Sequence, residues 1–518
     1  MRDGFKRARG DSGDAITYWL DRMSNLEPVP SAPAIVLGGG IAGLAVARLL
    51  ARHYARVLVL ERDLRPDVGR AEEAFSSWRR GGVPQLRHSH AFLARLRLVL
   101  LAHMPDVLDR LRASGVREIA LAEMAPRQMA FPPEPSDEDV VLLACRRTTF
   151  EWALRGSVAG QPGVELREGV TVTGLTGASR DGGRPWVRGV RLGDGSEIAA
   201  SLVVDALGRR SPVPAWITAL GAPSPRERTQ DTGIFYYTRF YRLRRGRAPR
   251  GTTGLVAGDL GWVKIAVFPG DADTFSITVG APVDDAGLKG LADPRSFERF
   301  VTAFPQVAPW RARGVSTPIG GAGTPVLVMG QLRNRLRRFV DADGPVAPGL
   351  LAIGDAAYHS NPIYGRGCSQ AMVQASLLDE AIGRHPRDPI AAARRLHRLS
   401  EAQVRPFVDA AIAADRRALG DAPSTPPGNT LAYLTLMAEQ AFGWFIDRAM
   451  LPATRVDPVV FRGLLRVFHM LEPPERLARD PELVLRSLPM LARVLAGMGP
   501  EQAFQPVPRE EVLARMAS

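Results

Sequence analysis

The segment AIVLGGGIAGLAVARLL, residues 34 to 50, decides how the chain begins to fold. Four apolar residues predict a short buried strand, and the alanine- and leucine-rich run behind the glycines predicts a helix over 41–54. Gly38 allows a tight turn, Gly40 lets a ligand approach the backbone closely, and Gly43 lets the helix pack against the strand. The positive end of this helix faces the loop and attracts phosphate groups.

An acidic residue completes this unit. Val57–Leu60 is a second apolar run that predicts the next strand, and Glu61 follows it, 18 residues after Gly43. A carboxylate at this place accepts hydrogen bonds from ribose hydroxyls. The unit therefore predicts a dinucleotide site, and Glu61 argues against NADP there because it would repel a 2′-phosphate. The loop alone does not distinguish NAD from FAD.

The composition is that of a globular protein of two or three domains. The chain has 518 residues, with 45% hydrophobic and 23% charged residues. It contains no run of eighteen apolar residues that would span a membrane. Residues 1–33 contain Lys6, Arg7 and Arg9 but no apolar run behind them, so we expect a tail with a short helix over 14–23 rather than a secretory signal. Two cysteines are too few for a disulfide framework, and a cytoplasmic location follows as the expectation.

The net charge of +13 comes almost entirely from arginine. Lysine occurs only three times among the 67 basic residues. The arginines are spread along the chain and no nucleic-acid module is present, so we expect no nucleic-acid partner. Attraction to an anionic membrane surface stays open, as does the oligomeric state.

Three kinds of segment follow one another and predict the architecture. Short apolar runs meeting glycines and helices indicate a parallel sheet covered on both faces, including the runs 201–205 and 350–353. Aromatic and β-branched strands parted by Gly, Pro and Asp, with a helix over 294–304, indicate an antiparallel sheet. The remainder is helical with a break at Pro426–Gly428. The predicted fold is α/β: an N-terminal tail (1–33), a discontinuous Rossmann-like dinucleotide-binding domain (34–229 and 339–388), an inserted antiparallel β-sheet domain (230–338) and a C-terminal helical region (389–518).

Two further motifs end predicted strands. Asp205-Ala206-Leu207-Gly208-Arg209-Arg210-Ser211 closes one strand, and Gly354-Asp355 closes another. Asn361-Pro362-Ile363-Tyr364-Gly365-Arg366-Gly367 then leads into a predicted helix over 368–382. This order resembles the class A flavoprotein monooxygenases, the para-hydroxybenzoate hydroxylase-like superfamily, and within it the bacterial epoxidases and hydroxylases of polyketides. The resemblance covers residues 34 to 382, and it implies that the discontinuous domain (34–229 and 339–388) is an FAD-binding domain and that the inserted domain (230–338) is a substrate domain.

The resemblance implies a role for each matching residue. The glycine loop with Glu61 and Arg62 would hold the ADP half of FAD, and Asp355 would bind a ribityl hydroxyl. The loop would pass the isoalloxazine ring, with the positive end of the next helix at its N1/O2 edge. Asp205 and Gly208 match a second fingerprint, in which Leu207 replaces a smaller residue. The expected cofactor-binding residues are Gly38, Gly40, Gly43, Glu61, Arg62, Arg80, Arg147, Asp205, Asp355, Pro362, Gly365 and Gly367.

Several of these assignments have alternatives. Arg80 opens a loop through His90 that resembles the family's flavin-adjacent loop, in which Arg80 would contact phosphate. His88 and His90 have no second Cys/His cluster beside them, so we expect no metal, and they lie either near the flavin or at the surface. Arg147 matches the arginine beside the ribityl chain, although Arg146 could take that place.

Around the loop, Cys368 is either a reactive thiol at a helix N-terminus or a small packed side chain. His359 and Tyr364 border the loop and would reach the substrate cavity.

The resemblance implies a monooxygenase. NAD(P)H would reduce the flavin, O2 would add to give a C4a-hydroperoxide, and an apolar small molecule would be hydroxylated or epoxidised. No general base is assigned. The alternatives are a flavin-dependent reductase or dehydrogenase of an isoprenoid-like substrate, and a flavin-binding protein without catalysis. The halogenase pattern Trp-x-Trp-x-Ile-Pro is absent, since Trp262–Ala266 lacks the second Trp and the Pro. Phe235, Tyr237 and Tyr241 share one face of a predicted strand, where they either pack the sheet against helices or line an apolar cavity.

Overall fold

The computed structural model describes residues 32–126, 128–179, 183–244, 249, 256–420, 430–498 and 507–517, with only the backbone for 430–436. The expected helix over 14–23 and the break at Pro426–Gly428 lie outside these residues. In chain order the strands are β1 (Ala34–Leu37), β2 (Val57–Glu61), β3 (Arg117–Ala120), β4 (Val141–Ala144), β5 (Val164–Glu168), β6 (Val172–Ala178), β7 (Trp186–Leu192), β8 (Glu197–Ala199), β9 (Leu202–Asp205), β10 (Arg226–Asp231), β11 (Ile234–Leu243), β12 (Val256–Asp259), β13 (Lys264–Pro269), β14 (Thr274–Pro282), β15 (Ser316–Pro318), β16 (Leu327–Met329), β17 (Arg333–Arg338), β18 (Val340–Asp341), β19 (Gly344–Pro345), β20 (Leu350–Ala352) and β21 (Tyr358–His359).

The α-helices cluster after the first two strands and again in the C-terminal part. They are α1 (Ile41–Leu50), α2 (Ala71–Ser77), α3 (Ala94–His103), α4 (Pro105–Ala113), α5 (Leu121–Met124), α6 (Arg147–Ala159), α7 (Val213–Ala219), α8 (Pro294–Thr302), α9 (Ala308–Arg311), α10 (Gly367–Arg384), α11 (Pro389–Gln403), α12 (Arg405–Leu419), α13 (Thr430–Phe445), α14 (Leu451–Ala453), α15 (Pro458–Phe468), α16 (Arg476–Arg479), α17 (Pro481–Leu495) and α18 (Arg509–Ala517). Among the described residues no helix is both long enough and apolar enough to cross a membrane.

A five-stranded parallel sheet forms the centre of the molecule, in the order β20-β9-β1-β2-β5. Every residue of β1 and β9 is buried, because helices or a small sheet cover both faces. On one side α1 and α10 pack against the sheet and against each other, and on the other lies the antiparallel sheet β6-β7-β8. All-parallel sheets need such double cover, which is why their strands consist of continuous apolar runs. The Rossmann-like α/β prediction is confirmed.

A second, antiparallel sheet has the order β12-β13-β14-β11-β15, with β16 also paired to β11. Tyr237 and Tyr241 face a core that includes α8, and the Tyr241 ring stacks on Phe275 with centroids 5.1 Å apart. The aromatic face of β11 therefore packs the sheet against helices, and the expectation that it lines a cavity is wrong. The opposite face points toward the parallel-sheet half: Thr238 bonds His88, and Phe240 lies edge-on to Phe75 at 5.2 Å.

Strands β10, β17 and β21 form a separate three-stranded antiparallel sheet. β10 and β17 pair along their whole length, from Arg226 opposite Arg338 to Asp231 opposite Arg333, and β21 adds to β17.

The antiparallel pair β3-β4 forms a further cover, against which α15 packs. The described C-terminal part is helical, and its last helix, α18, returns to the antiparallel sheet, where Val512 and Met516 enter the same core as α8.

Candidate cofactor-binding site

The glycine loop leaves an opening at one position only. Gly38 has φ +96°, and a Cβ there would lie 2.8 Å from the Ala206 carbonyl oxygen. A Cβ on Gly43 would lie 1.8 Å from the Gly38 carbonyl oxygen, so only glycine lets α1 start this close to β1. A Cβ on Gly40 would meet nothing within 4 Å. Gly38 and Gly43 are therefore glycines for the fold, whereas Gly40 keeps open the space in front of the N-terminus of α1.

Glu61 ties the end of β2 to this loop. Its Oε2 accepts a hydrogen bond from the Gly39 amide at 2.8 Å, and its Oε1 accepts one from the Asp63 amide at 2.9 Å. Glu61 is buried, so these bonds hold the carboxylate beside the glycines. Arg62, the next residue, has a side chain that is 59% exposed. Arg62 lies against the loop of residues 80–90, since a Cβ on Gly82 would be 3.0 Å from the Nη2 atom of Arg62.

A buried arginine–carboxylate cluster lies directly behind Glu61. Arg80 donates to Glu61 and to Glu151, and Arg65 donates to the Gly39 carbonyl at 2.9 Å and to Glu151 at 3.1 Å. Burial by itself raises the pKa of Glu151, but Arg80, Arg147 and Arg65 together bring it below its ordinary value. Sequence analysis predicted that Arg80 would contact phosphate. Here its guanidinium neutralises two buried carboxylates, because burying those charges without a partner would be very costly.

A second polar group gathers where β20 ends. Asp355 keeps a side chain 24% exposed, and its Oδ2 lies 3.3 Å from Nδ1 of His359. Burial by itself raises the pKa of Asp355, but its contact with His359 and the charges of Arg147 and Arg209 outweigh this and lower it. Asp355 is thus an accessible carboxylate in a positive environment, held at the carboxyl edge of the parallel sheet where such folds bind their ligands.

Arg147 connects Asp355 with the loop that contains the two histidines. Its Nη1 lies 3.2 Å from His90 Nε2 and 3.6 Å from Cys368 Sγ. His90 Nδ1 lies 2.9 Å from the His88 carbonyl oxygen, so the neutral ring donates there and accepts from Arg147. Burial and the charge of Arg147 lower the pKa of His90 to about 3, and burial with the charge of Arg209 lowers that of His88 to about 4. His88 is buried and His90 is partly buried, and both rings are neutral, so neither is a solvated surface residue.

The two alternatives for Arg147 and Cys368 are distinguished by their contacts. Arg146 binds Asp271 through its backbone and side chain and also reaches Glu72, so it joins the antiparallel sheet to α2 and does not lie beside Asp355. Burial raises the pKa of Cys368 to about 11. Cys368 is therefore a packed thiol and not a thiolate at neutral pH.

The loop before α10 has the geometry needed to bring backbone close to a ring. Pro362 begins a short 3₁₀ turn capped by the Asn361 side chain, and Gly365 follows with φ +65°. A Cβ on Gly365 would lie 3.0 Å from that of Ala91, and one on Gly367 would lie 3.9 Å from Asp355 Oδ1. The eighteen residues of α10 start at Gly367, so the positive end of a long helix lies beside Asp355.

Comparison with known proteins gives the same assignment of the fold. A family model for the NAD(P)-binding Rossmann-like domain matches residues 36–92. Protein Rv3254 of Mycobacterium tuberculosis (strain ATCC 25618 / H37Rv) is 26% identical over 497 residues, which are 90% of this chain and 94% of the relative. The crystal structure of PqsL, a probable FAD-dependent monooxygenase from Pseudomonas aeruginosa, has a TM-score of 0.52 at 17% identity and covers 79% of this chain and 99% of its own. The flavin-dependent brominase Bmp2 has a TM-score of 0.57 at 16% identity, with 89% and 99% covered.

This chain has the FAD-dependent monooxygenase fold. The resemblance drawn from the sequence is thereby confirmed at the level of the fold. Within the FAD-dependent monooxygenase fold, the opening at Gly40 and the exposed carboxylate of Asp355 lie at the same edge of one sheet, as the ADP half and the ribityl chain of FAD require. The residues present therefore fit FAD.

Asp205 ends β9 and begins the turn beside the glycine loop. It is fully buried, its Oδ1 accepts from the Leu207 amide at 3.0 Å, and its Oδ2 accepts from Ser211 Oγ at 2.6 Å. Burial raises its pKa to about 6. Asp205 shapes the turn that contacts Gly38, and both of its carboxylate oxygens are bonded to protein groups. Leu207 is tolerated because it packs on the core beside β6 and β7.

Sequence reasoning missed the hydrogen-bond network that holds the loop before α10, residues 361–367. Asp415 on α12 accepts hydrogen bonds from Asn334 (2.7 Å), Asn361 (3.0 Å) and Tyr364 (2.8 Å), and Tyr236 of β11 donates to Asn361. The network joins four separate parts of the chain. Asp415 gives no motif signal, and the only hint in the sequence is a lone acid on the apolar side of α12.

Proposed function

We propose that this protein binds FAD and uses NAD(P)H and O2 to hydroxylate or epoxidise an apolar small molecule. The observation that carries the proposal is the pairing of Gly40 with Asp355. One leaves open space at a helix N-terminus and the other presents an accessible carboxylate, and both lie at the carboxyl edge of the parallel sheet. An NAD-binding unit would need only the first of these features.

Each binding group has a defined task. The amides at the N-terminus of α1 attract the pyrophosphate, and Glu61 with Arg62 lies where the adenosine half would sit. Asp355 accepts from a ribityl hydroxyl, and Arg147, held by His90 and Glu151, keeps its Nε without a partner in the described chain. The N-terminus of α10 stabilises negative charge at the pyrimidine edge of the ring. When bound, FAD supplies the redox chemistry, taking two electrons from the nicotinamide and activating O2.

Two features bear on the reaction that we propose, the first against halogenation and the second in favour of oxygenation. The Trp262–Ala266 segment that comes nearest to a halogenase pattern runs into β13, where Lys264 pairs with Asp259 at the surface and Trp262 packs edge-on to Phe300. Trp262 therefore packs against the core of the antiparallel sheet. Beside the loop, the Phe407 and Phe468 rings lie 5.5 and 6.0 Å from the Arg366 guanidinium, and we propose that they keep water from the flavin, which an oxygenating flavin requires to avoid wasteful side reactions. PqsL has been crystallised with 2-aminobenzoylacetate, and a small aromatic molecule of this kind is the class of substrate that we propose.

The test is a single-turnover experiment on the purified flavoprotein. We expect anaerobic NADH or NADPH to bleach the flavin absorbance, and air to restore it. With a substrate found by screening small aromatic molecules, ¹⁸O2 should place one labelled oxygen in the product. Asp355→Ala, which removes the ribityl acceptor, should lose FAD while its apoprotein keeps its helical circular dichroism.

The alternatives give different outcomes. Flavin that neither nicotinamide reduces, with any screened molecule present, would contradict the oxygenase and favour a flavin-binding protein without catalysis. Reduction coupled to substrate conversion without ¹⁸O incorporation would identify a reductase or dehydrogenase.

A further inference from the structure

One buried cation in the described chain has no anionic partner. Eight arginines are buried, and seven of them have a carboxylate within 4 Å. Those seven are Arg65, Arg80, Arg146, Arg147, Arg239, Arg337 and Arg462. Arg366, which is 9% exposed, has none among the described residues. A buried charge without a counter-charge is strongly unfavourable, so this exception requires a reason.

The surroundings of Arg366 offset its charge only in part. Its guanidinium lies 5.5 to 6.0 Å from the ring centroids of Tyr364, Phe407 and Phe468. Its one hydrogen bond to a described residue runs from Nη1 to the Phe407 carbonyl oxygen at 3.4 Å, and Nε is buried with no acceptor. Burial lowers its pKa to about 10, so it stays charged at neutral pH. Arg366 is thus a buried cation among three aromatic rings, with one donor unsatisfied.

The position of Arg366 connects this donor with the proposed reaction. It lies between Gly365 and Gly367, in the loop that would pass the flavin ring. Its side chain turns toward α12 and the end of α15, which contain Phe407 and Phe468. The C-terminal helices thus supply two of the three rings around Arg366, next to the loop.

We propose that Arg366 binds the carboxylate of an aromatic substrate, and that the protein therefore acts on aromatic carboxylates. The guanidinium presents paired donors that match a carboxylate, and in a dry site such a charge-assisted pair is strong. The surrounding rings suit an aromatic body attached to that carboxylate. This inference rests on the proposed function, because only an enzyme has a substrate. Binding of a carboxylate at Arg366 does not depend on turnover.

The experiment compares two probes that differ in charge alone, 2-naphthoate and its neutral amide, 2-naphthamide. Calorimetry on the FAD-loaded protein measures both dissociation constants. We expect 2-naphthoate to bind wild-type protein at least roughly tenfold more tightly than the amide. Arg366→Met should remove this preference without lowering the melting temperature, because it removes an unpaired buried charge. Arg366→Lys should keep part of the preference.

A matched control separates this effect from general damage. Arg239→Met also removes a buried arginine, but one that is paired with Glu298 on the other face of β11. It should lower the melting temperature and leave the preference for 2-naphthoate intact. Equal affinity of wild-type protein for the two probes, no binding of either, or a preference that survives Arg366→Met would overturn the proposal.

Two further outcomes are distinguishable. If Arg366→Met lowers the flavin reduction potential and leaves the probe preference unchanged, the charge serves the flavin and the substrate assignment is wrong. If the purified protein takes up no FAD, the proposed function fails, while calorimetry still reports whether Arg366 selects the carboxylate.

Discussion

At Gly40 and Gly43, the same substitution should have opposite consequences. A methyl group on Gly40 meets open space at an ordinary φ of −80°, whereas one on Gly43 would lie 1.8 Å from the Gly38 carbonyl oxygen. We expect Gly40→Ala to cost about 1 kcal/mol of folding free energy at most, as a weakened helix cap, yet to weaken FAD binding at least roughly tenfold. Gly43→Ala should lose about 2–3 kcal/mol through overpacking. Denaturant unfolding of the apoproteins and FAD titration measure the two effects separately.

Gly69 provides the control, since a Cβ there also meets nothing within 4 Å but it lies outside the glycine loop. Gly69→Ala should leave FAD affinity unchanged. Wild-type affinity in Gly40→Ala would show that no phosphate lies in front of α1.

His469 predicts a specific dependence of stability on pH. It is fully buried, its Nδ1 accepts from the Ala94 amide at 3.0 Å, and burial lowers its pKa to about 3. Between pH 6.5 and 3 the unfolded chain binds a proton at this residue that the folded chain does not, so stability falls as pH falls. His469→Asn keeps an acceptor for Ala94 and should reduce the slope of unfolding free energy near pH 5 by about 1.4 kcal/mol per pH unit. Urea unfolding at several pH values measures it, and identical slopes in both proteins would contradict it.

How far single residues could be predicted depends on whether their role is local. The glycines and Asp355 were accessible from the sequence because turn geometry and the end of a strand determine their positions. Arg80 and Asp205 were assigned to a ligand, but the structure has them bonded to protein groups. Arg80 meets Glu151, 71 residues away, and burial encloses Asp205. Such partners depend on packing, which no local pattern reveals.

At the scale of elements, Asp415 couples helix α12 to the loop before α10. Asp415→Ala would leave the donors of Asn334, Asn361 and Tyr364 buried without an acceptor. We expect a loss of about 3 kcal/mol of folding free energy and weaker FAD binding, because the loop loses its anchor. Asp409→Ala on the same helix removes only a partly exposed pair with Arg405 and should cost less than about 1 kcal/mol. Equal losses in the two variants, measured by thermal unfolding and FAD titration, would contradict the coupling.

Strand β11 shows what element-level patterns can and cannot predict. Alternation correctly separates Tyr237 and Tyr241 from Tyr236 and Thr238, because successive side chains of a strand point to opposite faces. It does not say which face meets which layer. The bulkier face packs on α8. The more polar face bonds His88 in one loop and Asn361 in another. The residues nearest the candidate site were therefore those that the sequence made less conspicuous.

At the scale of the whole molecule, the C-terminal helices were predicted as helices but not as parts of the site. Phe407 and Phe468 lie beside Arg366, and Asp415 bonds Tyr364 of the loop, so the region outside the family resemblance contacts the loop before α10 directly. The sequence contains no signal for this arrangement, because the docking of an amphipathic helix depends on surfaces formed elsewhere in the chain. The proposed domain boundaries therefore divide residues that act together.

The end of the chain makes the same dependence testable. Helix α18 buries Val512 completely against the core of the antiparallel sheet, and Arg509 bonds both oxygens of Asp285 at 2.8 and 2.9 Å. Val512→Asp places a charge in that core and should cost about 3 kcal/mol, whereas Ala514→Asp on the exposed side of the same helix should cost less than about 0.5 kcal/mol. Hydrogen exchange should show lost protection in α8 and β14 and unchanged protection in β1 and β9. Equal loss in both sheets would mean that the two sheets unfold as one cooperative unit, and no loss in either would mean that α18 does not stabilise the antiparallel sheet.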